Sequence, residues 1–388
     1  RQMCIRDRVG AKGMVMTMRA NNVLGIIYSN AYDSVLSELT NARTMGSVPF
    51  GGRYRLIDFA LSNLVNCGIN KVGIITKSNY QSLMDHIGTG KPWDLSRKRG
   101  GMFLLPPFNN SHTGMYRDRI QALRGIMRFL EQSKEEYIVL MDTNVVCNFD
   151  LNDMCRAHTE SGADITIAYH HGRAPRLDDL MTFTFEENQK VSKIALDPKT
   201  SNPVDYAMNI ILISKALLTR LINNAVSLNQ DSFVRDVIQH NLKRLNIYGY
   251  EVSGFTSVFD SLQSYYDISM SLLDPANCQE LFTRERPVYT KVRDDMPAIY
   301  GLGSTVKNSL VADGCSIDGE VENCILFRGV QIGKGAVVRN SIIMQGTYIS
   351  EGVHLDCVIA DKSVVVRPHK TVTGTSTYPV YIGKGIVI

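Results

Sequence analysis

The sequence predicts two domains: an α/β domain with a mostly parallel sheet, followed by a parallel β-helix. Up to about residue 273, short β-branched runs alternate with amphipathic stretches. Strands that alternate with helices favour a parallel sheet that is covered on both faces. From residue 308 onward, one short pattern of aliphatic pairs and turn glycines recurs. Repeats of this kind are typical of a solenoid, in which stacked coils bury a shared core.

Five predicted strands belong to the α/β domain. They are the apolar runs Val23–Tyr28, Lys71–Thr76, Tyr137–Met141, Ile165–Tyr169 and Ile210–Ile213. Between them, apolar residues recur at helical spacing in segments such as Tyr54–Asn66 and Ile120–Gln132. Ligands of such sheets bind beyond the carboxyl ends of the strands. We therefore expect a ligand site in the loops that follow Tyr28 and Met141.

The repeats start at Asn308, Asn323, Asn340 and Asp356, so the steps between them are 15, 17 and 16 residues. Each coil of a parallel β-helix needs inward aliphatic side chains and tight turns, which matches the repeated aliphatic pairs and glycines. The predicted boundaries are an α/β domain over 18–273, a proline-containing linker over 274–300 and a β-helix over 301–388.

Composition excludes several classes of function. Residues 1–17 hold four basic residues and one acidic residue, so they supply three of the four net positive charges. They lack the apolar core of a secretory signal, and we expect a non-native or upstream extension, with a transit peptide as the alternative. Without this stretch the net charge gives no argument for nucleic acid, and no apolar run is long enough to span a membrane. The eight scattered cysteines fit neither zinc nor disulfide spacing, which favours a cytoplasmic protein.

One segment carries a resemblance to a known family. Val48–Asn63, followed by Cys67–Ile69, resembles the P-F-G-G-K/R-Y-R-L-I-D-F-x-L-S-N signature of glucose-1-phosphate adenylyltransferases. The resemblance covers roughly residues 20–388. It implies a Rossmann-like nucleotidyltransferase domain and a left-handed parallel β-helix of hexapeptide-type repeats. The reaction of that family converts ATP and glucose 1-phosphate into ADP-glucose and pyrophosphate with Mg²⁺.

The phosphate loop of the family is altered in this chain. Catalytic members carry a loop resembling A-G-G-x-G-T/S-R-L-x-P-L-T-x-x-R-A-K-P, in which the glycines let backbone N–H groups approach the phosphates. The basic residues of that loop neutralise charge on the leaving pyrophosphate. By alignment, the three glycines are replaced by Asn30, Ala31 and Asp33, the arginine by Val35 and the lysine by Met45. We expect this loop not to hold a triphosphate.

A second nucleotide motif of the family, Y-R-G-T-A-D-A-V, is altered too. Its glycine is replaced by Asp118, its threonine by Arg119 and its acid by Gln121. Tyr116 and Arg117 match the family. The same stretch is also an adequate amphipathic helix that needs no ligand to explain it.

The metal-binding acid of the family can be placed in two ways. Anchored on Asp150, the alignment puts Asn144 at that position, and we favour this alignment. Anchored on the strand at Val139, it puts Asp142 there instead. A second family acid is matched by Asp236. One carboxylate without its partner binds Mg²⁺ weakly, because the number of charged ligands controls the affinity for a hard cation.

The sugar-phosphate side also differs from the family. Asp197 replaces a lysine that contacts the hexose phosphate, so it adds a repelling charge. Asn209 lies in the stretch that matches the family's S-M-G-I-Y. The candidates for residual ligand binding are Arg43, Arg53, Tyr116, Arg117 and Asn209.

The resemblance and these losses together predict a regulatory, non-catalytic subunit. It would assemble with a catalytic glucose-1-phosphate adenylyltransferase, as a heterotetramer in bacterial glycogen synthesis. Mg²⁺ is then expected in the partner, and no cofactor is assigned to this chain. One alternative is a competent enzyme with an atypical phosphate loop that uses Asp142 and Asp236 for metal. The other is a sugar-phosphate sensor with an effector site near Arg53, Arg55 and Lys291–Arg293.

Overall fold

The computed structural model describes residues 20–107, 116, 118–197, 200 and 202–388. The predicted extension, residues 1–17, lies outside the described residues. The strands of the α/β domain are β1 (Val23–Tyr28), β2 (Pro49–Phe50), β3 (Tyr54–Arg55), β4 (Lys71–Ile75), β5 (Gly101–Leu105), β6 (Tyr137–Asp142), β7 (Val145–Cys147), β8 (Ile165–Gly172), β9 (Met181–Phe185), β10 (Val191–Leu196), β11 (Val204–Ser214), β12 (Ile247–Glu251) and β13 (Thr256–Val258).

The helices cover both faces of the main sheet. They are α1 (Ser37–Thr40), α2 (Leu56–Asn66), α3 (Gln81–Ile87), α4 (Arg119–Gly125), α5 (Met127–Gln132), α6 (Leu151–Ser161), α7 (Lys215–Ser227), α8 (Leu262–Ser271) and α9 (Pro275–Leu281), with a π-helix over Phe233–Ile238. The helix predicted over Ile120–Gln132 is two helices in the structure, with a break at Ile126, where φ is −101° and ψ is 8°. Gly125 precedes the break, and glycine weakens a helix interior because it loses more backbone freedom than other residues.

The main sheet has the order β10-β9-β11-β6-β1-β4-β5, and β8 pairs with both β11 and β12. The predicted parallel arrangement is confirmed for β6-β1-β4-β5 and for β8-β12. The pairs that β11 makes with β6, β8 and β9 are antiparallel, as is the β9–β10 hairpin. All six residues of β1 are buried, as expected for a central strand with both faces covered. Tyr28 of β1 lies beside Asp142 of β6, so the carboxyl ends of these strands meet.

The predicted β-helix is confirmed. Its strands are β14 (Ile299–Tyr300), β15 (Thr305–Lys307), β16 (Leu310–Val311), β17 (Ser316–Ile317), β18 (Glu320–Glu322), β19 (Ile325–Leu326), β20 (Gln331–Ile332), β21 (Val337–Arg339), β22 (Ile342–Ile343), β23 (Tyr348–Ile349), β24 (His354–Asp356), β25 (Val358–Ala360), β26 (Val365–Val366), β27 (Thr371–Thr373) and β28 (Val380–Ile382). They form three parallel sheets of five strands each, so each coil contributes one strand to every sheet.

The repeated asparagines stack on one another through the β-helix. Asn308 Nδ2 donates to Asn323 Oδ1 at 2.7 Å, Asn323 Nδ2 to Asn340 Oδ1 at 3.3 Å, and Asn340 Nδ2 to Asp356 Oδ1 at 2.8 Å. The three asparagines have φ values of 40°, 53° and 46°. Asparagine tolerates this left-handed conformation better than most residues, which explains why it starts the repeats.

The two domains share one hydrophobic cluster. Phe50 and Phe59 of the α/β domain belong to it, as do Phe327 and Ile342 of the β-helix. The segment 274–300 contains α9 and β14, and Ser62 Oγ accepts a hydrogen bond from the N–H of Tyr289 at 2.9 Å. In the part of the chain that the structure describes, no helix has the length and apolar character needed to cross a membrane.

Candidate functional site

The first candidate site is a cleft at the carboxyl ends of β1 and β4, next to α4. We call it the strand-end cleft; it encloses about 740 Å³ of space open to solvent. Its wall includes Tyr28, Ala31, Lys77, Tyr116 and Arg119. It lies beside the loop after Tyr28, where the sequence places a ligand site.

The loop after β1 is closed by its own side chains. Asn30 Oδ1 accepts the N–H of Lys77 at 2.8 Å, while Asn30 Nδ2 donates to Ser78 O at 3.1 Å and to Asp33 Oδ2 at 2.7 Å. These contacts tie the loop to the end of β4. The amide side chain of Asn30 thus fills part of the loop where the family resemblance expects a glycine.

Asp33 gives this loop a half-buried carboxylate. Asp33 Oδ1 accepts the N–H of Met45 at 2.8 Å, and burial raises the pKa of Asp33 to about 6, opposed by the hydrogen bond from Asn30. Met45 itself is fully buried, and Val35 is partly buried against the core. Neither position offers a cation to a phosphate.

Asp142 ends β6 beside Tyr28 and Arg119 of the cleft wall, and it already has a cation. Arg119 Nη2 lies 2.5 Å from Asp142 Oδ2, and the Asp142 side chain is fully buried. The guanidinium of Arg119 lies 4.7 Å from the ring centre of Tyr28 and 5.7 Å from that of Phe233. Burial raises the pKa of Asp142, and the positive charge of Arg119 opposes this rise. The two groups form a buried, neutral pair.

The arrangement does not fit Mg²⁺. Asn144, the favoured match to the metal acid, is buried and its Nδ2 is 3.5 Å from the carbonyl oxygen of Phe259. Asp236 Oδ2 accepts the N–H of Ser232 at 3.0 Å and thus caps its own π-helix. Over the described ranges, no group of three histidines, cysteines or acids is close enough to hold a metal ion.

The remaining described positions of the nucleotide motif cap a helix or line the cleft. Asp118 is the N-cap of α4 and accepts the N–H of Gln121 at 2.8 Å. Tyr116 lines the strand-end cleft, and burial raises the pKa of its hydroxyl. Arg117 lies outside the described residues.

The sugar-phosphate candidates are also engaged in local contacts. Asn209 sits at a bulge of β11 with φ 54°, and its Nδ2 donates to the hydroxyl of Tyr32 at 2.9 Å. Asp197 is exposed, and its Oδ1 accepts the N–H of Leu180 at 3.1 Å beside the β9–β10 hairpin. Asp197 therefore braces a hairpin end.

Arg43 is not free to bind a ligand. Its Nη2 donates to both carboxylate oxygens of Asp361, at 2.8 and 2.7 Å, and the two side chains are 3% and 2% exposed. The hydroxyl of Tyr381 donates to the same carboxylate at 2.9 Å. The arginine that the sequence offers as a ligand contact instead joins the α/β domain to the β-helix.

A second candidate site, the interdomain cleft, lies between the two domains and is strongly basic. It encloses about 380 Å³ of space open to solvent. The chain places six cationic side chains along its wall: Arg53, Arg55, Lys291, Arg293, Arg328 and Lys362. The structure thus brings together the four basic residues that the sequence suggests for an effector site.

Two of these six cations were missed by reading the sequence. They are Arg328 and Lys362. Gln345 lies between them in the sequence and also lines the interdomain cleft, and successive members of this set are 17 residues apart, so they occupy equivalent turns of successive coils. The repeat period was the signal that could have found them. Linear motifs do not reveal such a column, because its members come together only when the coils stack.

The electrostatics of the interdomain cleft favour an anion. Burial, together with the neighbouring Arg55 and Arg43, lowers the pKa of Lys362 to about 6. Burial also lowers the pKa of Arg55 to about 10, opposed by Asp58. Crowded cations repel one another, and a bound phosphate would relieve this repulsion through charge-assisted hydrogen bonds.

Comparison with known proteins agrees with the architecture. Residues 25–256 match the family model described as nucleotidyl transferase, and residues 299–377 match the one described as GlmU-like, C-terminal hexapeptide. The chain is 37% identical over 367 residues to the glycogen biosynthesis protein GlgD of Bacillus subtilis, covering 95% of this chain and 97% of that protein. It is 39% identical over 370 residues to GlgD of Geobacillus stearothermophilus, with the same coverage.

Relatives that are named as enzymes are less similar to this chain than the GlgD proteins are. The glucose-1-phosphate adenylyltransferase of Clostridium acetobutylicum is 31% identical over 327 residues, which is 83% of this chain and 86% of that enzyme. The chain is thus similar to GlgD proteins over nearly its full length, and to the named enzymes over a shorter span and at lower identity. It therefore belongs to the glucose-1-phosphate adenylyltransferase family of nucleotidyl transferases, and within it to the GlgD type.

Proposed function

We propose that this chain is a non-catalytic subunit that regulates a catalytic glucose-1-phosphate adenylyltransferase in glycogen biosynthesis. The observation that carries the proposal is the Arg119–Asp142 pair, which occupies the carboxylate at the end of β6 beside the strand-end cleft. The closed loop around Asn30 and Asp33 supports it. Under this proposal, Mg²⁺ acts in the catalytic partner, and this chain contributes through assembly.

The first coil of the β-helix is the surface that we propose for the partner. Met296, Ile299 and Tyr300 are 72%, 58% and 53% exposed, and Leu302 is fully exposed. Among the described strands, β14 pairs only with β17, so its outer edge is open. An apolar patch on an open strand edge is typical of an interaction site, because both features are unfavourable in water. We propose that a β-helix of the partner packs here in a heterotetramer.

The interdomain cleft is the proposed effector site. Its six basic side chains suit a sugar phosphate, since phosphate oxygens accept several charge-assisted hydrogen bonds. Because the cleft lies between the domains, a bound anion would favour one domain arrangement over others. A ligand that binds one conformer more tightly shifts the population toward it, and an assembled partner then senses the shift.

We place the chain in the cytoplasm. The cysteines of the described residues, seven in number, are free thiols, and most of them are buried. Unpaired thiols suit a reducing compartment. Cell fractionation would test this assignment directly.

Assays of the chain alone and with a catalytic subunit test the main proposal. With ATP, glucose 1-phosphate and Mg²⁺, we expect no turnover from the chain alone and a changed rate when it is added to the catalytic subunit. Turnover of the chain alone in the common enzyme range, about 1–10³ s⁻¹, would refute the proposal and favour the competent-enzyme alternative.

Interface variants test the surface. We expect the Ile299→Asp and Leu302→Asp double variant to lose co-elution with the catalytic subunit, because a charge replaces buried apolar contact. Leu228→Asp is the matched control, since Leu228 is 67% exposed at the end of α7, away from β14. Equal co-elution of both variants would place the interface elsewhere.

Calorimetry with hexose phosphates tests the effector site. We expect binding without turnover, and weaker binding by Arg328→Gln and Lys362→Gln. Lys334→Gln is the control, because Lys334 is an exposed lysine on another turn of the β-helix. Binding that none of these changes weakens would assign the effector to a different surface.

A further inference from the structure

The cation that faces Asp142 is part of the chain itself. Asp142 ends β6 with a side chain that is fully buried, and Arg119 lies 2.5 Å from it with a side chain that is 14% exposed. We propose that Arg119 takes the position of a divalent cation at Asp142. The guanidinium neutralises the carboxylate permanently, so Mg²⁺ is excluded from the carboxyl end of β6 even though the acid there is kept.

Arg119 is fixed in this position by more than its ion pair. It is the first residue of α4, and the helix start is capped by Asp118. Its guanidinium lies over the rings of Tyr28 and Phe233, at 4.7 and 5.7 Å. Arginine over an aromatic face is attracted to the negative ring surface, and the attraction grows when water is excluded. These contacts hold the charge at the carboxylate.

The other acids near the cleft are engaged in local contacts. Asp118, which lines the cleft, is the N-cap of α4 and accepts the N–H of Gln121. Asp33 is tied to Asn30 and to the N–H of Met45, and Asp236 caps its own helix through Ser232. Mg²⁺ demands near-octahedral oxygen coordination and is usually held by one or two carboxylates. A dication placed at Asp142 would meet the guanidinium at close range, and like charges repel strongly where water is excluded.

This inference concerns the isolated chain and goes beyond the regulatory role. Assembly with a partner does not require the Arg119–Asp142 pair, and the pair does not require a partner. Metal binding by the chain alone therefore tests the pair, whereas activity ratios test the regulatory proposal. Failure of the metal-exclusion proposal would remove one structural argument for a non-catalytic chain, whereas the activity ratios would still decide the regulatory proposal.

The experiment is a Mn²⁺ titration of the purified chain without nucleotide, followed by the electron paramagnetic resonance signal of free Mn²⁺. Arg119→Thr restores the residue that the family carries, and Arg119→Gln removes the charge but keeps a hydrogen-bond donor. We expect both variants to bind one Mn²⁺ at least about tenfold more tightly than wild type, because a repelling unit charge within a few ångströms of the dication is gone.

Two controls locate the effect. Asp142→Asn, introduced into the Arg119→Thr variant, is expected to abolish the new site. Arg124→Thr makes the same change on the exposed part of α4 and is expected to leave Mn²⁺ binding at the wild-type level. Circular dichroism and thermal unfolding show whether each variant is folded.

Three results would overturn the proposal. The first is a Mn²⁺ site in wild type that Asp142→Asn removes, which can be observed whether or not the Arg119 variants fold. The second is a folded Arg119→Gln or Arg119→Thr chain that binds no more tightly than wild type. The third is gained binding that persists after Asp142→Asn.

Discussion

Replacing Arg43 by methionine is expected to destabilise the chain and to loosen the contact between its domains. Arg43 and Asp361 are 318 positions apart in the sequence, and their side chains are 3% and 2% exposed. Methionine keeps most of the apolar stem and removes the charge. The carboxylate of Asp361 then stays buried with Tyr381 and the N–H of Lys362, at 2.9 and 2.6 Å, but without a cation.

The magnitude follows from the burial of the pair. Removing one partner of a buried ion pair costs about 3–5 kcal/mol, because the remaining charge is left without compensation. Arg156→Met is the matched control, since Arg156 pairs with Asp153 on the surface, where the side chains are 61% and 43% exposed. Exposed pairs contribute about 0–1 kcal/mol, so the control is expected to change the free energy of unfolding very little.

Denaturant unfolding followed by two probes measures this difference. Trp93 is the only tryptophan of the chain and is buried in the α/β domain, so its fluorescence reports that domain. Circular dichroism reports both domains. We expect Arg43→Met to lower the transition midpoint and to separate the two curves. A loss no larger than that of Arg156→Met would show that the pair does not hold the domains together.

Three further predictions follow from single positions. At pH 7.5, binding of phosphate to the interdomain cleft is expected to take up about 0.5–1 proton, because the anion raises the pKa of Lys362 from about 6. Calorimetry in buffers of different ionisation enthalpy measures this proton uptake. Uptake that persists in Lys362→Gln would contradict the assignment to Lys362. Met45→Lys is expected to lower the stability of the fold by more than about 3 kcal/mol in thermal unfolding, because it places a charge at a fully buried position. Met296→Lys, at a position that is 72% exposed, is the control and is expected to change stability very little. Asn323→Ala is expected to lower the free energy of unfolding by about 1–2 kcal/mol, because it removes two side-chain hydrogen bonds between coils and places alanine at a φ of 53°. Asn323→Gly is expected to lower it less, since glycine adopts that φ freely. Equal losses of stability would mean that backbone strain at this position is negligible.

Lys362 also gives stability a pH dependence of known sign. Its pKa in the folded chain, about 6, lies below its ordinary value of 10.5. Between these values the unfolded chain binds more protons than the folded chain, so this residue makes stability rise with pH from about 6 to about 10. A bound anion raises the folded pKa and thus weakens the slope.

Much of the fold could be predicted because it depends on periodicity. The 15-, 17- and 16-residue steps imply stacked coils, whatever the details of each turn. The direction of the sheet pairs on the β11 side was not visible, because a short apolar run does not reveal which neighbour it pairs with. The sequence predicts only Ile210–Ile213 of β11, because the polar Asp205 and Asn209 interrupt the apolar pattern of a strand that spans Val204–Ser214.

The candidate site was predicted from substitutions but not from contacts. The sequence shows that Arg119 stands where a threonine is expected, and it leaves open whether Asp142 or Asn144 is the relevant acid. Their pairing is a tertiary fact, because Arg119 and Asp142 are 23 positions apart on different elements. Arg43 shows the same limit in reverse, since a cation near a phosphate motif resembles a ligand contact until its partner on the β-helix is known.

The retained signature Val48–Asn63 has a structural role that does not involve nucleotide chemistry. Within it, Phe50 and Phe59 pack in the cluster that joins the domains, and Arg53 and Arg55 line the interdomain cleft. Replacing these residues would disturb the domain contact and the basic cleft together. The altered loop contributes to the same cluster through Met45, with Val35 packed against it, while Asn30 is tied to the end of β4. A chain that keeps the domain contact and the basic cleft, and that pairs Asp142 with its own arginine, has the features that the proposed regulatory role requires.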